Sequence, residues 1–316
     1  MPIYYSFEGV NYLKVYLNKP SEDWVVDRFR NEFYKFNKSL TTKYISKSDI
    51  VWIIAPWVWK KIPKKYLHKK KVVCTYHHLD LNNFSKEKQD DFFNLDQYVD
   101  EYHVISKPTR KQVEKFTDKN ITVIPFWINQ NIFFKIENKE ELRAKFGFDE
   151  KDFLVGSFQR DTEGKDLTSP KLVKGPDIFL KKIKELKSEN ENLIIILTGK
   201  RRQFMISKLK ELEIEFKYYQ MVDSEMLNKL YNILDLYIVS SRVEGGPQAI
   251  LESAITKTPI VSTNVGIASD ILHENSIYYE NTKLGSPDVE YAYNNALPYQ
   301  IPQGFKKFRD FFNDIY

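Results

Sequence analysis

Short apolar runs rich in β-branched residues alternate with helix-period stretches along most of the chain, and this alternation constrains the fold more than any other feature. In the first half the runs are VWIIA (51–55), VVCTY (72–76), YHVIS (102–106) and ITVIPF (121–126), separated by stretches such as DWVVDRFRNEFYKF and SKPTRKQVEKF. The second half repeats the pattern with FLVGSF (153–158), LIIILTG (193–199), FKYYQ (216–220), LYIVSS (236–241) and PIVSTN (259–264), and helices predicted near 176–188, 201–212, 224–234 and 247–256. Strands that alternate with helices pair in parallel, because each crossover helix packs back onto the sheet. A doubly wound α/β domain follows for the second half. A chain of 316 residues accommodates two such domains. The connection 124–150 leaves a strand and enters a short helix, which divides the chain into 1–135, 136–285 and a helical tail, 286–316, expected to cross back onto the first domain.

Composition narrows the class. The single cysteine, Cys74, cannot form an internal disulfide, and no cluster of Cys and His has metal-site spacing, so a reducing, cytoplasmic setting is expected. The opening MPIYYSFEGVNYLKV has no basic segment followed by an apolar one, and the longest apolar runs fall short of the about 20 residues that span a bilayer. Net charge is +5, divided unevenly: residues 1–135 hold 23 Lys/Arg against 15 Asp/Glu, residues 136–316 hold 25 against 28. The basic surplus belongs to the first half.

The stretch SSRVEGGPQAILESA (240–254) follows a predicted strand and opens a predicted helix. In a doubly wound sheet ligands bind beyond the carboxyl ends of the strands, so this loop lies where a ligand would sit. Pro247 suits a first helical turn, the free N–H groups of that turn favour an anion, and Gly245 and Gly246 permit close backbone approach. Glu252 on the helix and Glu244 on the loop are placed to accept hydrogen bonds from hydroxyl groups. The plainer alternative is that Glu252 is an exposed helix residue and Glu244 a favourable charge at a helix N-terminus. The loop after the first strand of the second half supplies cations, Arg160 and Lys174, with Lys171 and Lys165 as competing candidates, before a helix opened by Gly175-Pro176.

These pieces, VGSFQR…KGPDIFL, LIIILTGK, YYQMVDSEMLNKLYNILDLYIVSSRVEGGPQAILESAITKTPIVSTNVGIASDIL, and in the first half VVCTYHHLD, YHVISKPTR and ITVIPFWINQNIF, resemble the retaining glycosyltransferases of family 4 over roughly residues 72–280. The resemblance implies the GT-B fold, two Rossmann-like doubly wound domains facing across a cleft, and sugar transfer from a nucleotide sugar with retention of configuration. It implies that Glu252 holds the ribose, that Glu244 and the backbone of Gly245, Gly246, Pro247 and Gln248 hold the transferred sugar and β-phosphate, and that Arg160 and Lys174 stabilise the leaving diphosphate. His77 or His78 matches the first-domain histidine, with His77 slightly preferred; Met221, Val222 and Gly199 border the nucleotide. Three departures stand out. The stretch between Arg160 and Lys174 is long enough for a lid, an acidic position of the family is occupied by Asp270, and SFEG (6–9) replaces a glycine-rich loop. There is no D-x-D, so no metal and no cofactor is expected beyond the donor, with the cations serving in a metal's place.

Residues 52–71, WIIAPWVWKKIPKKYLHKKK, hold Trp52, Trp57 and Trp59 and seven lysines from Lys60 to Lys71. Lysines beside tryptophans suit an anionic membrane surface, at about 1 kcal/mol per basic residue. A peripheral contact through 57–71 would bring the enzyme to a lipid-linked acceptor; a solvated loop with Trp52 in the core is the alternative. No nucleic-acid module is present. Competing functions are a sugar-nucleotide epimerase, a phosphorylase, and a non-catalytic nucleotide-sugar-binding protein or partner in a glycan-synthesis complex.

Overall fold

The computed structural model describes residues 13–22 and 25–316; SFEG (6–9) lies outside them. Two parallel sheets organise the chain. The first contains β1 (Val15–Leu17), β2 (Ile50–Ile53), β3 (Lys71–Tyr76), β4 (Glu101–Val104) and β5 (Ile121–Val123), side by side in chain order. Val51 and Ile53 point to one face and Trp52 to the other, as the period of a strand requires. The helix Lys86–Asp96 covers the Val51 face with Phe92 and Leu95, and the helix Val25–Phe36 covers the Trp52 face with Phe29 and Phe33.

After a short antiparallel hairpin between β7 (Thr162–Glu163) and β8 (Ser169–Pro170), the second sheet is completed around β6 (Phe153–Ser157). Its order is β10 (Glu215–Tyr219), β9 (Leu193–Thr198), β6, β11 (Leu236–Val239), β12 (Ile260–Thr263), β13 (Ile277–Tyr278). The chain leaves β6 toward β9 and later returns to build β11 on its other side. That reversal opens a crevice at the carboxyl ends of β6 and β11. Fully apolar strands such as β9, buried at all six positions, need cover on both faces; Pro176–Glu189 and Gln203–Glu211 supply it on one side, Ser224–Ile233 and Gln248–Ile255 on the other.

The linker docks on the second domain. Ile136 N–H donates to Asn232 Oδ1 at 2.7 Å, and Lys139 and Arg143 both pair with Asp235. The final helix, Lys306–Ile315, returns to the first sheet, where Phe308 and Phe312 lie 5.4 and 5.1 Å from Trp52. Trp52 is wholly buried, its indole N–H donating to Thr75 Oγ1, whose hydroxyl donates to His103 Nδ1, whose Nε2–H donates to Ile124 O. The core around the Trp52 face is continuous through Phe126, Trp127 and Phe133 with the inner face of the second sheet. Among the described residues no helix is long and apolar enough to cross a membrane.

Candidate active site at the crevice between the domains

The two loops that leave β6 and β11 are knitted to each other. Gln159 Nε2–H donates to Lys174 O at 2.7 Å, and Ser241 Oγ–H donates to Gln159 Oε1 at 3.0 Å. Gly175 has φ +59°, and a Cβ there would run into Ser240 O, so only glycine lets the first loop turn into the helix Pro176–Glu189 across the end of β11. This turn delivers Lys174 to Glu244. Their Nζ and Oε1 form an ion pair, and Ser241 Oγ lies 3.2 Å from the same oxygen. Burial pushes the Glu244 carboxyl up, but Lys174 and His78 outweigh it and hold the group below its ordinary value.

Beside this pair stand two cations that have no ion-pair partner among the described residues. Arg160 spends its Nε–H on Thr162 O at 3.1 Å, and Lys171 lies half-buried between Arg160 and Lys174. Burial depresses both first, and neighbouring cations add to it, Arg201 for Arg160 and Arg160 with Lys174 for Lys171, against a smaller opposite pull from Glu163 on each. Unpaired, half-buried cations that repel each other make an anion site. The sequence pairs Arg160 with Lys174 for this task; the geometry instead commits Lys174 to Glu244 and leaves Arg160 with Lys171. Lys165 is exposed at the turn of the β7–β8 hairpin, which occupies the long stretch between them.

The first domain closes the crevice. His77 and His78 follow β3 and turn opposite ways. His77 Nε2–H donates to Ile54 O at 2.9 Å and its ring stacks on Phe126, so it is built into the first domain, and burial lowers it to about 4. His78 faces Glu244, Lys174 and Lys171; burial keeps it below its ordinary value. The slight preference for His77 is therefore reversed. A Cβ on Gly245 would strike His77 O, and one on Gly246 would strike Ile105. The space left by the missing side chains is filled by the other domain rather than by a ligand, while the helix Gln248–Ile255 starts after Pro247 without a side-chain cap, so the N–H groups of its first turn, from Gln248 onward, have no capping side chain.

Glu252 departs furthest from expectation. It is 5% exposed; Arg28 Nη2 donates to Oε1 at 2.6 Å and Tyr231 OH donates to Oε2 at 2.8 Å. It is neither an exposed helix residue nor a carboxylate open to a ribose.

Residues 138–283 match the family described as Glycosyl transferases group 1. The chain carries a group 1 glycosyltransferase domain. No sequence among the curated proteins matches it. Solved structures share the architecture over nearly the whole chain. HepE of Anabaena with UDP-glucose superposes with a TM-score of 0.72 at 13% identity, covering 95% of this chain and 99% of that one. A glycosyltransferase of Rickettsia africae gives 0.67 at 14%, covering 96% and 98%, and the sucrose-phosphate synthase of Thermosynechococcus elongatus 0.60 at 14%, covering 92% and 74%. At such identities the likeness is one of fold, and that fold is GT-B.

In this glycosyltransferase the remaining candidates lie apart from Glu244. Gly199 (φ +93°), which accepts from Tyr218 OH at 2.9 Å, exposed Met221 and half-buried Val222 follow the ends of β9 and β10. Asp270 is exposed beside Tyr299. No three His, Cys, Asp or Glu side chains converge as a metal would need, among the described residues. The patch of tryptophans and lysines is corrected: Trp52 is 0% and Trp59 4% exposed, leaving only Trp57, at 46%, on the surface. Trp57 follows the carboxyl end of β2 whereas Lys71 begins β3, so the segment runs from the crevice side of the sheet to its far end. Arg28, Tyr231, Gln159 and Ser241 carry no sequence signal that marks them.

Proposed function

We propose that this glycosyltransferase is a cytoplasmic, metal-independent, retaining enzyme of family 4 that moves a sugar from a nucleoside-diphosphate sugar to a glycan or lipid-linked acceptor. The observation that carries the reading is the Lys174–Glu244 pair at the strand-order reversal, flanked by the unpaired Arg160 and Lys171. Glu244, ionised and fixed by Lys174 and Ser241, accepts hydrogen bonds from hydroxyls of the donor sugar. Arg160, Lys171 and the N-terminus of the helix Gln248–Ile255 meet the diphosphate and stabilise the charge it gains as it leaves. The same fold carries UDP-glucose in HepE. His78, neutral at working pH and facing Glu244, borders the space where the acceptor hydroxyl approaches. Departure of the diphosphate with attack on the same face retains configuration without a protein nucleophile, so Glu244 orients and does not attack.

Thermal-shift titration with UDP, GDP and ADP, each with and without EDTA, tests the donor class, since a nucleotide at 100 times its Kd stabilises by about 2.7 kcal/mol. One nucleotide is expected to act regardless of EDTA, and Glu244→Gln and Lys174→Met are each expected to lose about 100-fold or more in kcat for sugar transfer. Binding with no transfer or donor hydrolysis, even in the wild type, would instead mark a nucleotide-sugar-binding protein without catalysis.

A further inference from the structure

We infer that Trp57 is the stacking platform for a pyranose ring of the acceptor, on the first-domain rim of the crevice; this rests on the glycosyltransferase reading. Three tryptophans share one short segment, and two are spent on the core. Trp57 alone is held open, at 46% exposure against 0% and 4%. Its ring lies 5.6 Å from that of His77, whose carbonyl oxygen abuts Gly245 of the Glu244 loop, and His78 is the next residue. The indole thus stands just past the carboxyl end of β2, against the residue whose backbone meets the Glu244 loop.

The segment is fixed on both sides of the ring. His77 Nε2–H holds Ile54 O at 2.9 Å, Asn18 clamps Ala55 through both its N–H and its carbonyl at 3.1 and 2.8 Å, and Trp59 is buried two residues later with its indole N–H 3.4 Å from Asp91. A rigid aromatic with two rotatable bonds gives contact area at little entropic cost.

The surroundings select the ligand class. A sugar ring presents an apolar CH face and a rim of hydroxyls, and here one exposed aromatic face stands just past the carboxyl end of β2, on the crevice side of the sheet and against His77, the residue before His78. A lipid chain would need a contiguous apolar patch, which the burial of Trp52 and Trp59 removes.

The test uses full-length protein labelled with 5-fluorotryptophan, saturated with UDP, and titrated with methyl glucopyranosides and galactopyranosides, N-acetylglucosamine and cellobiose. The fluorine resonance missing from Trp57→Phe is expected to move with at least one of them. Phe at 57 is expected to keep binding and Ala to lose it. For whichever sugar is glycosylated, Trp57→Ala is expected to raise its KM about tenfold more than that of the donor. If none of these sugars moves the resonance while the protein hydrolyses its nucleotide sugar, or if only anionic phospholipid vesicles move it, the inference is overturned. Movement of the resonance without nucleotide-sugar turnover would sink the donor reading and, with it, the assignment of the bound ring to an acceptor.

Discussion

Arg28 of the first domain and Glu252 of the second form a mostly buried ion pair, 2.6 Å between Nη2 and Oε1, that joins the two halves of the crevice. The guanidinium is desolvated, yet Glu252 and Glu32 more than compensate and raise it above its ordinary value; it also lies 5.0 Å over the Phe133 ring. Tyr231 takes the other carboxylate oxygen, so both oxygens of the buried carboxylate have a partner.

Removing one member leaves a buried charge. Arg28→Met is expected to cost about 3–5 kcal/mol in urea unfolding, and Arg28→Met with Glu252→Gln to recover most of it, a coupling a double-mutant cycle reads directly. Additive losses would show that the pair contributes nothing. A ribose can reach Glu252 only after Arg28 withdraws, so Arg28→Met is also expected to tighten UDP binding. Weaker binding would mean that Arg28 itself holds the nucleotide.

The legible part of this molecule is what repeats locally. The apolar runs locate β2 to β6 and β9 to β12 to within a few residues because each lies in a stretch dominated by apolar and aromatic residues, whereas β1, three residues broken into by Lys14 and Asn18, and β13, two residues, do not stand out. Glu244 was legible because strand, loop and helix are contiguous. The pairing of Glu252 was not, since its partner lies 224 positions away on a helix with no marking residue. His77 and His78 look equivalent in sequence because adjacent residues in extended chain point to opposite sides, and only the packing of Phe126 and Ile54 decides which is enclosed. The same blindness merges Trp52, Trp57 and Trp59 into one patch.

Gly245 offers a probe of how tightly the domains abut. Its φ lies outside the left-handed region, so alanine tolerates the backbone and the cost arises from the Cβ meeting His77 O. Both clashing partners are backbone and neither can swing away. Gly245→Ala is therefore expected to lower stability by about 1–3 kcal/mol, the usual cost of overpacking, and to enlarge the radius of gyration in small-angle scattering as the crevice opens. Unchanged scattering and unchanged melting would show that the two loops do not touch in solution.

Stability is expected to fall as pH drops below neutrality, and the histidines set the window. His77 is lowered to about 4 and His103 to about 3, both chiefly by burial, against an ordinary value near 6.5. Their folded forms resist protonation that the unfolded chain accepts. The stability they contribute is thus complete above about pH 6.5 and is lost as pH falls toward 4 and 3, by about 2 kcal/mol each at pH 5. His78, also lowered, acts in the same direction. Glu244, held below its ordinary carboxylate value, is lost only under more acidic conditions, so measurements between pH 7 and 5 isolate the imidazoles. His77→Gln can keep the hydrogen bond to Ile54 O and cannot protonate. Urea unfolding at pH 7, 6 and 5 is expected to show a shallower decline for that variant than for the wild type; parallel curves would mean that His77 titrates normally and that its ring is not enclosed against Phe126.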